Sequence, residues 1–253
     1  MRSSLSRHFR PLLAPLSALL PTSCALCGHS GANILCEGCH TQFFSRPPRR
    51  CRQCAIALPP LPASPQAGDA LCGHCLKTSP AFDATIVAAD YAAPIDQLVL
   101  ALKFGHRLAL APLFARLLRD ALLQAETAAA ELPTLLVAVP LGPQRLAQRG
   151  FNQALEIARP LSRLLGIGLD PHLALRPRDT RAQTMLQPQQ RQQNIRNAFT
   201  VNGAALERIA GRHIGVIDDV ITTGGTLGEL AATLKRFGAA RITNFVFART
   251  PPH

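Results

Sequence analysis

One stretch limits the architecture of this chain more than any other: Arg212 to Thr226, RHIGVIDDVITTGGT. Ile214, Val216 and Ile217 make a short apolar run with β-branched residues, which suits a buried parallel strand bounded by turn residues. Asp218 and Asp219 follow it directly. Adjacent carboxylates at the carboxyl end of such a strand can accept hydrogen bonds from two neighbouring hydroxyls, and the crevice there is where open α/β sheets bind ligands. Val220 and Ile221 anchor the turn. Thr222, Thr223, Gly224, Gly225 and Thr226 then supply hydroxyls and main-chain N–H groups able to approach an anion closely. A helix with Leu227, Leu230, Ala231 and Leu234 on one face is predicted to start here and to point its positive end at the same anion. A diol acceptor adjoining a phosphate cradle describes a receptor for a ribose 5-phosphate group.

The other strong signal lies at the opposite end of the chain. All eight cysteines precede residue 76, and each belongs to a C-x-x-C pair: Cys24/Cys27, Cys36/Cys39, Cys51/Cys54 and Cys72/Cys75. Tetrahedral zinc takes four thiolates, and a two-residue gap lets a tight knuckle present two sulfurs to one ion. Taken in sequence, the pairs read as two four-cysteine zinc ribbons, although interleaved pairing satisfies the same spacing. Disulfides are disfavoured in a reducing compartment, and ferredoxin-type iron–sulfur spacings differ from these. Four thiolates per site close the coordination shell, so the zinc expected here is structural, and His29, His40 and His74 are left without a vacancy. Metal binding would fold a segment too small to bury a core of its own. Pro59 to Asp69, with four prolines, reads as a loop inserted in the second ribbon.

Residues 1–23 imitate a signal peptide, with Arg2, Arg7 and Arg10 ahead of an apolar stretch. Pro11 and Pro15 interrupt that stretch, and no small-x-small cleavage site precedes Cys24. Leu12, Leu13, Leu16, Leu19 and Leu20 fall at helical spacing, so an amphipathic lead-in helix is expected. Nothing later approaches the roughly 18 apolar residues that span a bilayer; a soluble, cytoplasmic protein is expected. The 27 Lys and Arg outnumber 15 Asp and Glu, giving +12, and all but three of the cations are arginine. Such a surface attracts polyanions, whether nucleic acid or a polyphosphate ligand.

Beyond Cys75 strands and helices alternate, which favours a mostly parallel, right-handed sheet. Ala84 to Ala89 is predicted as a strand. Pro94 suits the first position of a helix striped with Ile95, Leu98, Val99 and Leu102, which ends at Lys103, Phe104, Gly105, His106 and Arg107. A helix over roughly Leu108 to Gln124 and a strand over Thr134 to Val139 follow. The next loop, Pro140 to Asn152, carries Arg145 and Arg149 beyond a strand's carboxyl end and ahead of a helix running to about Leu165. Two guanidinium forks beside a helix N-terminus suit a pyrophosphate, and Asn152 can cap that helix or contact the ligand.

VIDDVITTGGT resembles the phosphoribosyl pyrophosphate (PRPP) motif of type I phosphoribosyltransferases. From about residue 20 onward the chain resembles the ComF competence family, including its GntX-like members. The resemblance rests on the C-x-x-C pairs, LKFGHR at Leu102 to Arg107, the VP-x8-RGFNQ pattern from Val139 to Gln153, RAQTMLQPQQRQQNIRNAF from Arg181 to Phe199, and VIDDVITTGGT. It implies an α/β fold with a type I phosphoribosyltransferase-like, mostly parallel sheet over residues 79–253. A double zinc ribbon over 24–78 would precede it, after the lead-in of 1–23.

The resemblance also implies roles. Asp218 and Asp219 would act as catalytic residues holding the ribose hydroxyls, Thr222 to Thr226 would hold the 5-phosphate, and Arg145 and Arg149 would serve the pyrophosphate. Lys103 would enter the same pocket, and residues 177–195 would form a closing hood. Mg²⁺ is expected with PRPP, where it neutralises leaving-group charge. The implied biology is natural transformation and DNA uptake. Two readings of the activity follow: phosphoribosyl transfer with release of pyrophosphate, or a non-catalytic PRPP-responsive factor that binds single-stranded DNA or an uptake helicase. Aromatics make up only 5% of the chain, with no Trp, so a long base-stacking platform is not expected.

Overall fold

The computed structural model describes residues 22–60, 70–125, 132–177 and 197–251. The predicted lead-in helix, most of the Pro59–Asp69 loop, residues 126–131 and nearly all of the predicted hood lie outside those residues.

The centre of the molecule is a five-stranded parallel sheet. Its strands are β3 (Ala84–Asp90), β4 (Leu135–Ala138), β5 (Gly168–Leu169), β8 (His213–Ile221) and β9 (Arg241–Arg249), in the spatial order β3-β9-β8-β4-β5. The connecting helices are α3 (Ile95–Lys103), α4 (Leu110–Gln124), α5 (Pro143–Arg149), α6 (Gln153–Leu165) and α7 (Gly225–Arg236). Parallel sheets are covered on both faces, which explains why β9 reads as a nearly continuous apolar run in which Ile242, Phe245, Val246, Phe247 and Ala248 are all fully buried. Helices α4 and α6 pack on each other, α4 over β3 and β9 and α6 over β4 and β8. Phe114 of α4 stacks flat on Phe247. Two short antiparallel pairs, β1 (Thr22–Ser23) with β2 (Ser30–Gly31) and β6 (Ala174–Leu175) with β7 (Thr200–Val201), lie outside this sheet.

The cysteine-rich segment adds α1 (Glu37–Phe44) and α2 (Gly73–Lys77), each capped at its start by a cysteine, Cys36 and Cys72 respectively. It does not stand apart from the sheet. Cys24, Leu35, Cys39, Phe44 and Ala55 belong to one continuous apolar core with the strands and helices of the α/β part.

Most elements fall where sequence periodicity places them, and the stripe Leu227, Leu230, Ala231, Leu234 is fully inside. Three expectations change. Pro94 occupies the cap position before α3 rather than the first helical residue. The arginine-bearing loop folds into a helix of its own, α5, with Pro143 at its first turn and Gly150 ending it at φ 76°. Strand β8 does not stop at Ile217 but continues through both aspartates to Ile221, because its neighbour β9 pairs with it all the way to Arg249.

Candidate functional site

Strand β8 delivers Asp218 and Asp219 to the carboxyl edge of the sheet, where α3 and α5 also end. Alternation along a strand separates neighbouring side chains, so the two acids have different surroundings. Asp219 is 4% exposed and lies 2.9 Å, Oδ2 to Nζ, from Lys103, the last residue of α3. A buried carboxylate without a cation is costly, which makes Lys103 its local counter-charge. Asp218 is half-buried, and its Oδ1 accepts the Asp219 N–H at 2.9 Å. Loss of solvation, then the neighbouring Asp219 charge, push the Asp218 carboxyl up to about 7, with Lys103 opposing them.

Arginine 149 closes the group. Its guanidinium donates to Gln153 Oε1 at 2.6 Å and sits 5.3 Å from the centre of the Phe104 ring. Burial draws its pKa below the ordinary value; Asp219 and Asp218 attract its charge, and Arg145 repels it. The structure thus brings Lys103, Arg149, Asp218 and Asp219, which are far apart in sequence, to one place, with Arg145 one turn back on α5. Asn152 is differently placed. Its Oδ1 accepts from the Ala154 and Leu155 N–H groups and its Nδ2 donates to the Val139 carbonyl, so the side chain is committed to starting α6 on the end of β4.

The turn after β8 is three residues long, Thr222 to Gly224, and α7 begins at Gly225. Gly224 has φ 82°, a conformation in which any side chain is strained. It caps α7 without a side-chain hydrogen bond of its own, and the Gly225 N–H makes a 3.4 Å bond to Thr223 Oγ1. A second turn follows the same logic. A β-carbon at Gly105 would lie 2.8 Å from the Ala101 carbonyl oxygen, so only glycine lets the chain fold back directly behind Lys103.

The cysteines form two groups, Cys24/Cys27/Cys36/Cys39 and Cys51/Cys54/Cys72/Cys75, with all four sulfurs of each within 4.8 Å of one another. Pairing is therefore in sequence order rather than interleaved. Four ligands about 2.3 Å from a zinc ion stand about 3.8 Å apart, and Cys27–Cys36 and Cys54–Cys72 are both at 3.6 Å. That is far beyond a disulfide bond. Main-chain N–H groups point at the sulfurs: Cys36 to Cys24, Cys39 to Cys36, Cys72 to Cys51 and Cys75 to Cys72. Burial opposes ionisation of Cys24, but amides of Cys27, Cys36 and Leu26 outweigh it and bring the thiol down to about 6. Both groups can hold zinc.

A phosphoribosyl transferase domain family matches residues 152–252, the part of the chain that carries β8 and its turn. The DNA utilization protein YhgH of Escherichia coli K12 is 38% identical over 180 residues, covering 71% of this chain and 78% of that protein. Competence protein F of Haemophilus influenzae Rd is 33% identical over 222 residues, covering 87% of this chain and 93% of that protein. The chain belongs to the ComF competence family. Among solved structures, a purine phosphoribosyltransferase from Pyrococcus horikoshii Ot3 aligns with TM-score 0.28 and 17% identity over 66% of this chain and 87% of that one, a likeness too slight to carry an argument about the site.

Several residues of this ComF protein have contacts to which the sequence reading assigns no role. Gln153 is 5% exposed and fixes Arg149. Phe104, 65% exposed, lies under Arg149, and Phe151 meets His106 edge-on. Arg249, at the end of β9, is buried and donates to four main-chain carbonyls. An arginine closing an apolar strand was its one signal in the sequence. No described helix is long and apolar enough to cross a membrane.

Proposed function

We propose that this chain binds PRPP with Mg²⁺ at the carboxyl edge of the sheet and transfers its phosphoribosyl group to a nitrogen nucleophile, releasing pyrophosphate. The observation that carries the reading is the convergence of Asp218, Asp219, Lys103 and Arg149 beside the Thr222–Gly224 turn. The turn and the start of α7 receive the 5-phosphate. Asp218 and Asp219 accept the ribose hydroxyls and stabilise positive charge that develops at the ring in an oxocarbenium-like transition state. In the exchange the nucleophile's electron pair forms the new bond at the anomeric carbon while the C–O bond to pyrophosphate breaks and its electrons leave with that group. Lys103, Arg145 and Arg149 offset the leaving charge. Mg²⁺ on the pyrophosphate supplies further neutralisation. The catalytic contribution of the protein is positioning and electrostatics. Zinc in the two cysteine groups is structural in this reading.

The decisive assay is Mg²⁺-dependent pyrophosphate release across a panel of bases and nucleic acids. Release with some acceptor, abolished when Asp218→Asn and Asp219→Asn are combined, supports transfer. Silence across the panel, with PRPP still bound, favours the second reading: a PRPP-responsive competence factor that contacts single-stranded DNA or a helicase. One observation supports it, the exposed Phe104 ring beneath the Arg149 guanidinium, a surface on which a base can stack. Single-strand affinity that falls steeply with salt would support direct contact, and no binding at low salt would rule it out.

A further inference from the structure

The second cysteine group and the phosphate turn are far apart in sequence, but one side chain touches both. Arg249 is 8% exposed. Its Nε donates to the Cys54 carbonyl at 3.1 Å, and one terminal nitrogen donates to the carbonyls of Ile221 at 3.2 Å, Thr222, and Thr250 at 3.0 Å. The acceptors at its two ends belong to different machinery. Cys54 lies in the knuckle of the second cysteine group, and Ile221 and Thr222 open the turn that leads to α7.

Peptide planarity converts these bonds into orientation. In a trans peptide the C=O and the following N–H point in opposite directions. Holding the Thr222 carbonyl therefore aims the Thr223 N–H away from Arg249, and holding the Ile221 carbonyl does the same for Thr222. These are the amides an anion cradle must present. At the other end, the peptide whose carbonyl Arg249 grips carries the Ala55 N–H, which closes the knuckle on the Cys51 carbonyl at 2.8 Å. Ala55, at φ 58°, makes that knuckle tight. Arg50 holds the next carbonyl, Ala55 O, at 3.1 Å while pairing with Asp90, and Asp90 is the β3 partner of Arg249 in the sheet register. The knuckle is thus fixed against the strand ends on two sides, and through Arg249 it reaches the turn.

We propose that Arg249 is a positioning residue coupling the second four-cysteine group to the phosphate turn: metal held by Cys51, Cys54, Cys72 and Cys75 tightens the turn's hold on a phosphate, and the phosphate in return slows loss of the metal. The inference rests on reading that turn as a phosphate site. Coupling between two sites is reciprocal, so both directions are measurable. Zinc bound at the knuckle keeps the Cys54–Ala55 peptide in place, which keeps the guanidinium in the fork that orients the turn. Without the metal the knuckle loosens and the fork loses one of its two ends.

The test uses the full zinc-loaded chain and ribose 5-phosphate, which lacks the metal-chelating pyrophosphate. Affinity is measured by calorimetry, and zinc release to a chromogenic chelator is followed with and without the sugar phosphate. In the wild-type protein, saturating ribose 5-phosphate is expected to slow release of one zinc about tenfold, within the usual range of coupling between sites. Arg249→Gln, folded and carrying two zinc ions, is expected to bind about tenfold more weakly and to release zinc at a rate the ligand no longer changes. Arg50→Gln loosens the same knuckle without touching the turn, so its zinc should leave faster in all conditions yet remain protected by ligand. Unchanged affinity in Arg249→Gln, or ligand protection that persists in it, would overturn the coupling and leave the site reading intact. Should Arg249→Gln not fold, the wild-type measurement decides alone: binding without protection of zinc refutes the proposal. No binding of ribose 5-phosphate by the wild-type chain would overturn the site reading, and the coupling with it.

Discussion

The two cysteine groups offer a metal the same four ligands, yet they are fastened to the rest of the molecule by different physics. The first group meets the core through apolar side chains, with Leu35 and Phe44 buried, and its Cys27 is exposed. The second is tied in by polar bonds. Gln53, between two of its cysteines, donates to Ser79 Oγ and to the carbonyls of Pro80 and Phe82. Thr85 of β3 returns bonds to Gln53 and Arg52. Arg50 pairs with Asp90, and Arg249 spans from Cys54 to the Thr222–Gly224 turn. Apolar contact tolerates sliding, whereas directional bonds between fixed peptides transmit position. Equal motifs therefore do not imply equal roles: the second group is built to report to the sheet edge.

The largest expected effect separates the groups directly. Cys54→Ser with Cys72→Ser should lose one zinc, lower ligand affinity by about tenfold or more, and depress the thermal midpoint, since structural zinc contributes on the order of 10 kcal/mol to the segment it folds. Cys27→Ser with Cys36→Ser should also lose one zinc but leave ligand affinity little changed. Equal loss of affinity in both would erase the distinction. Next in size, Gln53→Ala leaves carbonyls of the linking segment without their donor and should cost about 1–3 kcal/mol in chemical denaturation. His40→Ala in the first group, which gives up a stacking contact with Phe44, should cost less.

Proton binding sharpens the comparison further. Asp218 is held up to about 7, against 3.8 for an ordinary aspartate, by burial and by Asp219. In the proposed function its carboxylate is the form that would accept ribose hydroxyls, so ligand affinity should rise as pH passes through about 7, in the wild type and the first-group variant alike. Stability runs the other way. A carboxyl with a raised folded pKa stabilises the fold below its unfolded value, and that contribution is lost as pH climbs through the folded one. Asp218→Asn should therefore melt higher than wild type at pH 8, with the difference shrinking toward pH 4. The smallest effect is Asn152→Ala, about 1 kcal/mol from a lost helix cap, measurable by denaturation and insensitive to either zinc.

Much of this arrangement is legible in the sequence where local rules decide it. The β-branched run before Asp218, the Leu227 stripe and the C-x-x-C pairs each encode their element within a few residues. The motif reading also brings Lys103, Arg149 and the acids to one place because parallel strands end on one edge. What escapes it depends on partners distant along the chain. β8 extends past its aspartates because β9 continues alongside. Arg145 and Arg149 lie on a helix because Pro143 and Gly150 bracket it, a pattern short enough to pass for a loop. Sequential pairing of the cysteines, the commitment of Asn152 to a cap, and the reach of Arg249 from β9 to Cys54 are set by tertiary contacts that spacing does not express.

The most direct test is a calorimetric titration of the zinc-loaded protein with PRPP and Mg²⁺, run beside Asp218→Asn. Saturable binding in the wild type that is lost in a folded Asp218→Asn protein is the expected result. Absence of binding in the wild type, or equal binding in both, would contradict a PRPP site at the end of β8.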